Sequence, residues 1–204
     1  MSRRLSIIPT VVSFLFLALY TTQAIAHDAP ASASGAGVRS EMLAWIKDAE
    51  SKLLQLAEVT PEAGYAWRPA KDVRSTGEVF MHVAAANLGA PTFWGVKAPE
   101  GFDFMTYEKS LTKKADVIKA MKDSFAHMEQ GFAALADSDM DKPVELFGMN
   151  TSVRGGYMLL LSHAHEHLGQ SIAYARSNGI VPPWTAKQQE EMKAMADKKK
   201  SESK

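Results

Sequence analysis

Cysteine is absent from the 204 residues, which excludes disulfides, thiolate nucleophiles and any zinc or iron–sulfur site held by thiolate. A metal in this chain has to be held by His, Asp or Glu. An excess of either charge is missing too: 23 basic side chains balance 23 acidic ones, so the broad cationic surface that binding to phosphate backbones requires is lacking and no nucleic-acid partner is expected. There is no glycine-rich phosphate loop, no internal repeat and no convincing alternation of strand-forming residues. Long apolar runs are confined to one stretch, Ile7 to Leu19, interrupted by Pro9 and Ser13.

That stretch has the flanks of a secretory signal peptide. Arg3 and Arg4 precede it, and Ala24-Ile25-Ala26 gives a small-x-small cleavage site. A run of roughly a dozen residues is short for a permanent span. No cysteine follows to carry a lipid, so no stable membrane anchor is expected. Ser6 stands where a twin-arginine signal usually carries a bulky apolar residue, which favours the general secretory route. The sequence thus divides into a signal peptide (1–26), a flexible Ala/Ser/Gly/Pro leader (27–37), a helical domain (38–184) and a charged tail (185–204). Removing 26 of the 204 residues leaves 178, enough to bury a core without staples. The destination is secreted, and periplasmic in a Gram-negative cell.

Within the domain the apolar residues recur at steps of three and four. Met42, Trp45, Ile46, Ala49, Leu53 and Leu56 predict a helix from Val38 to Val59, ended by Thr60-Pro61. Ser75 or Thr76 caps a second, with Glu78 in its first turn and Val79, His82, Val83 and Ala86 on one face, until Gly89-Ala90-Pro91 breaks it. Residues 95–111 are too aromatic for a linker and are read as a packed loop over a site. A third helix covers Thr112 to Ala136, and Val144 to Phe147 suits a brief extended segment. The fourth runs from Asn150 or Thr151 to Asn178, where Gly179 supplies a left-handed cap and Pro182-Pro183 forbids continuation. Four long helices make an all-α fold, an up-down four-helix bundle. The Lys-rich tail, with Glu and Asp interspersed, reads as a solvated extension with a short helix.

The chemistry lies in the histidines. Three of the six fall in His163-Ala164-His165-Glu166-His167. Positions 163 and 167 are one turn apart, about 6 Å along the axis, so both rings can reach one ion, whereas His165 is rotated by about 200° from His163. The face that bears the pair also carries Leu160 and Ala164 and therefore turns inward. On the second helix His82 sits in the apolar stripe with nothing in its own segment to satisfy it. An i, i+4 pair plus one His from a neighbouring helix would form a three-nitrogen site with a position left open, the pattern of a catalytic or ligand-binding metal. His127 and His27 are assigned structural or surface roles. Trp94, Tyr107 and Glu166 are candidate pocket residues, and no general base is evident beside the three His.

Two further patterns bear on the reading. His163-Ala164-His165-Glu166-His167 fits H-x-x-E-H, an inverted zinc-peptidase signature with Glu166 as base, but that leaves His82 unexplained. The chain also resembles the DinB-like (DinB/YfiT-like) family over about 140 residues. The resemblance rests on Trp67-Arg68-Pro69, a Ser/Thr-x-x-Glu start leading to His82, and His163-x-x-x-His167-x-Gly169-Gln170 followed by Tyr174-x-Arg176-x-x-Gly179-x-x-Pro182-Pro183. It implies a four-helix bundle in which His82, His163 and His167 bind a divalent metal, usually zinc or nickel, and often a homodimer. Characterised relatives include thiol-dependent transferases and isomerases, but an exported chain leaves the compartment of their cytoplasmic thiols. The expected function is therefore an exported three-His metal protein acting on a small-molecule substrate or ligand, as a metal-dependent hydrolase or transferase or as a noncatalytic metal- or ligand-binding bundle.

Overall fold

In the computed structural model, residues 37–202 are described. The stretch expected to be a signal peptide (1–26) and His27 lie outside the described residues, as does all of the expected leader but Gly37. The elements are α1 (Val38–Val59), α2 (Thr76–Gly89), α3 (Phe104–Tyr107), α4 (Lys114–Ala134), β1 (Pro143–Leu146), β2 (Met149–Ser152), α5 (Val153–Ser177) and α6 (Pro183–Glu202), with short 3₁₀ turns at Glu62–Ala66, Ala90–Trp94 and Asp137–Asp139. None of these helices is long and apolar enough to cross a membrane.

α1, α2, α4 and α5 form the bundle: α1, α4 and α5 each carry an apolar stripe that only their neighbours can cover, and α2 is buried on nearly all sides. Ile46, Leu53, Phe80, Met121, Phe125, Phe132, Tyr157 and Leu160 fill its interior, all at most 2% exposed. α1 and α2 each pack on both α4 and α5. Hydrogen bonds at the helix ends fix the directions. Lys114 Nζ, at the start of α4, donates to the carbonyls of Glu58 and Thr60 at the end of α1. Arg39, at the start of α1, reaches the Phe132 carbonyl near the end of α4. Tyr174, late in α5, donates to the Arg74 carbonyl just before α2. The helices therefore run up, down, down, up.

This order arises because residues 95–113 climb the length of the bundle, so that α4 starts at the same end as α2. The crossover lies close on α2 at Gly89, where a Cβ would fall 2.6 Å from Phe104 Cδ2, so only glycine admits the ring there. The loop expected over 95–111 thus contains a helical turn, α3, capped by Asp103, whose carboxylate accepts from Met105 N.

The extended segment expected at Val144 to Phe147 is one arm of an antiparallel hairpin, with Pro143 opposite Ser152 and Leu146 opposite Met149. Phe147 and Gly148 turn it with φ of 51° and 79°, the two left-handed residues of a tight hairpin. Pairing takes Asn150 to Ser152 into β2, so α5 begins at Val153, where Ser152 Oγ accepts from Gly155 N. At the other end Gly179 (φ 71°) closes α5, and Ile180 N donates to the Ala175 carbonyl. The charged tail forms the 20-residue helix α6, none of it buried, longer than the short helix expected.

Candidate metal centre

α2 starts with a reciprocal cap: Glu78 N donates to Ser75 Oγ and Ser75 N to the Glu78 carboxylate. That fixes the register in which His82 faces α5. There His163 and His167 stand one turn apart, with ring centroids separated by 4.4 Å; the His82 ring lies 4.9 Å from the first and 4.8 Å from the second. One nitrogen from each ring falls within 4.8 Å of the other two. Nε2 of His82 is 3.1 Å from Nε2 of His163. Ligand nitrogens about 2.0 to 2.1 Å from a common ion are separated by roughly 3 Å, so this pair already has the spacing of two ligands.

Two of the rings, His163 and His82, are also held in the right charge state. Burial, reinforced by His167, His82 and Arg74, lowers the pKa of His163 to about 3. Burial, then Arg74 and His167, also lowers that of His82, against the opposing pull of Glu108. Neutral imidazole is the form that ligates. The His82–Glu108 contact is accordingly a hydrogen bond from a neutral ring to a carboxylate.

That bond settles which nitrogen of His82 carries its proton. Glu108 Oε2 lies 3.0 Å from Nδ1 of His82, and Glu108 Oε1 accepts from Arg74 Nε at 2.9 Å. An ionised carboxylate only accepts, so Nδ1 is protonated and Nε2 presents a lone pair to the centre. On the other side, His167 Nδ1 is 2.8 Å from Gln170 Oε1, Gln170 Nε2 is 2.9 Å from the Tyr174 hydroxyl, and that hydroxyl is 3.2 Å from the Arg74 carbonyl. His163 Nδ1 is buried with no protein partner. The short Nε2···Nε2 gap facing a lone pair therefore accommodates either a proton carried by His163 or a cation shared by both rings. Three imidazole nitrogens converging in this way fit a divalent ion.

A family model described as the DinB superfamily matches residues 46–171. The chain belongs to the DinB superfamily. Among solved structures it is similar to a DinB-like protein from Bacillus cereus ATCC 10987, with TM-score 0.63 and 16% identity over 71% of this chain and 95% of that one. It is also similar to the DinB-like protein YjoA from Bacillus subtilis, with TM-score 0.55 and 18% identity over 69% of this chain and 94% of that one. At such identity the likeness is one of fold. No curated protein matches the chain.

Within this DinB fold the three His singled out from the sequence are brought together, an arrangement compatible with metal binding. The other candidates are elsewhere. His165 turns away, with Nδ1 3.0 Å from the Leu161 carbonyl and its ring edge-on to Trp45. Glu166 is exposed, which removes the base that the H-x-x-E-H pattern would need. Trp94 lies against Tyr157 and Tyr107 against Phe102. His127 is half-buried on α4, its Nε2 without a partner.

Sequence reasoning missed Glu108 and the partners of Gln170. An acid does stand beside His82, and the crossover, not the segments flanking His82, delivers it; held by Arg74 and His82, it is not a free general base. Its signal was a carboxylate directly after an aromatic run, Phe102 to Tyr107. The Trp67-Arg68-Pro69 segment also gains a role. The Trp67 carbonyl accepts from Thr76 N, and its ring packs edge-on against Tyr174 at 5.2 Å, tying the start of α2 to the end of α5. Behind the ligands, Arg68, Arg74, Lys109, Glu108 and Gln170 line an open polar cleft of about 610 Å³.

Proposed function

We propose that this chain is an exported DinB-type metal protein in which His82, His163 and His167 hold one divalent cation, zinc or nickel, and that it acts on a small molecule as a metal-dependent hydrolase or transferase. The observation that carries the reading is the 3.1 Å approach of the His82 and His163 Nε2 atoms, with the His82 proton held on the opposite nitrogen. A bound cation supplies Lewis acidity toward a small-molecule ligand. The chain's own contribution is to keep His82 and His163 neutral and to hold the Nδ1 protons of His82 and His167 on Glu108 and Gln170. Export rests on the residue 1–26 signal, and pairing into a homodimer on the resemblance to the family.

A noncatalytic metal- or ligand-binding role is the second reading. It is favoured by the commitment of Glu108, whose two oxygens are engaged by Arg74 and His82 and so are not free to act as a general base. Metal analysis of protein prepared without an affinity tag tests the common element. Close to one zinc or nickel per chain is expected, with His82→Ala lowering affinity as strongly as His167→Ala. Protein that zinc and nickel cannot load overturns the reading. Hydrolytic and thiol-transfer substrates screened against the loaded protein then separate enzyme from binder.

A further inference from the structure

Two of the three candidate ligands are buttressed from behind, and the two supports meet. From His82 Nδ1 the path runs to Glu108, from Glu108 to the Arg74 side chain, along Arg74 to its own carbonyl, then to the Tyr174 hydroxyl, Gln170 and His167 Nδ1. Its polarity is dictated at both ends. A backbone carbonyl only accepts, so the Tyr174 hydroxyl must donate to Arg74 and receive from the Gln170 amide. The Gln170 oxygen is thereby turned to His167, whose Nδ1 must carry the proton. At the other end the Glu108 carboxylate imposes the same tautomer on His82.

We propose that Glu108 and Gln170 are positioning residues for the metal centre, joined through Arg74 and Tyr174 into one hydrogen-bonded path that fixes the Nδ1–H tautomers of His82 and His167 and holds both Nε2 lone pairs on a shared point. This inference rests on the three-His metal reading. His163, whose Nδ1 has no protein partner, lies outside the path and meets it only where its Nε2 stands 3.1 Å from Nε2 of His82. The crossover is thus a structural part of the centre, because it alone supplies Glu108. The support spans three separate parts of the chain: the approach to α2, the crossover and the end of α5.

Outer partners of metal-bound histidine are typically worth about 10- to 100-fold in affinity. Glu108→Ala and Gln170→Ala should each weaken zinc binding by about that factor in competition titrations. Glu108→Gln keeps an acceptor for His82 and should recover part of the loss. Lys109→Ala, a neighbour on the cleft wall, should bind zinc as the unaltered protein does. A second readout does not involve metal: nitrogen NMR of the imidazoles should report Nδ1–H at His82 and His167, and a mixed tautomer at His167 in Gln170→Ala, with unchanged helical circular dichroism. Unaltered tautomers and zinc affinity in folded Glu108→Ala and Gln170→Ala overturn the proposal while the metal reading stands. If the unaltered protein takes up no metal at all, the metal reading fails and the proposal with it.

Discussion

Glu108 meets His82 across 26 residues of chain, its Oε2 3.0 Å from the ring Nδ1, because the segment between them folds back along α2. The closest point of that return is Phe104 over Gly89. Gly89→Ala should therefore destabilise the protein by about 1 to 3 kcal/mol, the usual cost of overpacking, measured as a lowered urea midpoint. Adding Phe104→Ala should recover part of the loss. A Gly89→Ala protein as stable as the parent would show that the crossover yields freely.

Stability in chelator should depend on pH through His163. Its pKa falls from 6.5 to about 3 on folding, so the unfolded chain takes up a proton before the folded one does. The contribution is complete above about pH 6.5 and declines as the pH drops toward 3. His163→Gln should lose that part of the pH dependence, seen as the difference between two sets of urea curves. Parallel curves from pH 7 to 4 would contradict the assignment.

Glu50 should act in the opposite sense. Burial, followed by the charge and hydrogen bond of Glu129, raises its pKa from 4.5 to about 7. The folded protein keeps a proton that the unfolded chain releases, so stability falls as the pH rises from 4.5 to 7 and stays low above that. Glu50→Gln should stabilise the protein at pH 8 by about 1 to 2 kcal/mol, after a discount for partial exposure, and have little effect at pH 4. Thermal melts at the two pH values decide it.

The cap at Ser75 offers a test of how His82 is placed. Ser75→Ala removes the acceptor for Glu78 N and should cost about 0.5 to 2 kcal/mol in unfolding free energy. Because His82 lies two turns further on, fraying should also weaken zinc uptake. Full zinc affinity in a destabilised Ser75→Ala protein would show that contacts with α5, rather than the cap, set the register of His82.

Much of this was legible in the sequence because it is local. The stripe Met42, Ile46, Ala49, Leu53 fixes α1 to the residue, and Gly179 ends α5 where a left-handed cap was expected. The pair His163 and His167 needs only the helical repeat to converge. His82 required a further step, that an inward imidazole without a local partner must find one on another helix. What escaped was non-local. Glu108 depends on the path of a 19-residue crossover, residues 95–113, whose course no periodicity records. The hairpin took residues 150–152 from the expected helix because strand pairing with Pro143 to Glu145 outweighed helix propensity. The parallel directions of α2 and α4 likewise follow from the crossover's length and course rather than from any single residue.

The approach of His82 to His163 joins positions 81 residues apart in a chain that has no cysteine. A cation gripping both rings would clasp α2 to α5 much as a sulfur bridge clasps distant segments of a chain, and its hold would grow with the logarithm of free ion concentration. Heat tolerance would then track the ion supply of the compartment, making this protein sturdier where its ion is plentiful.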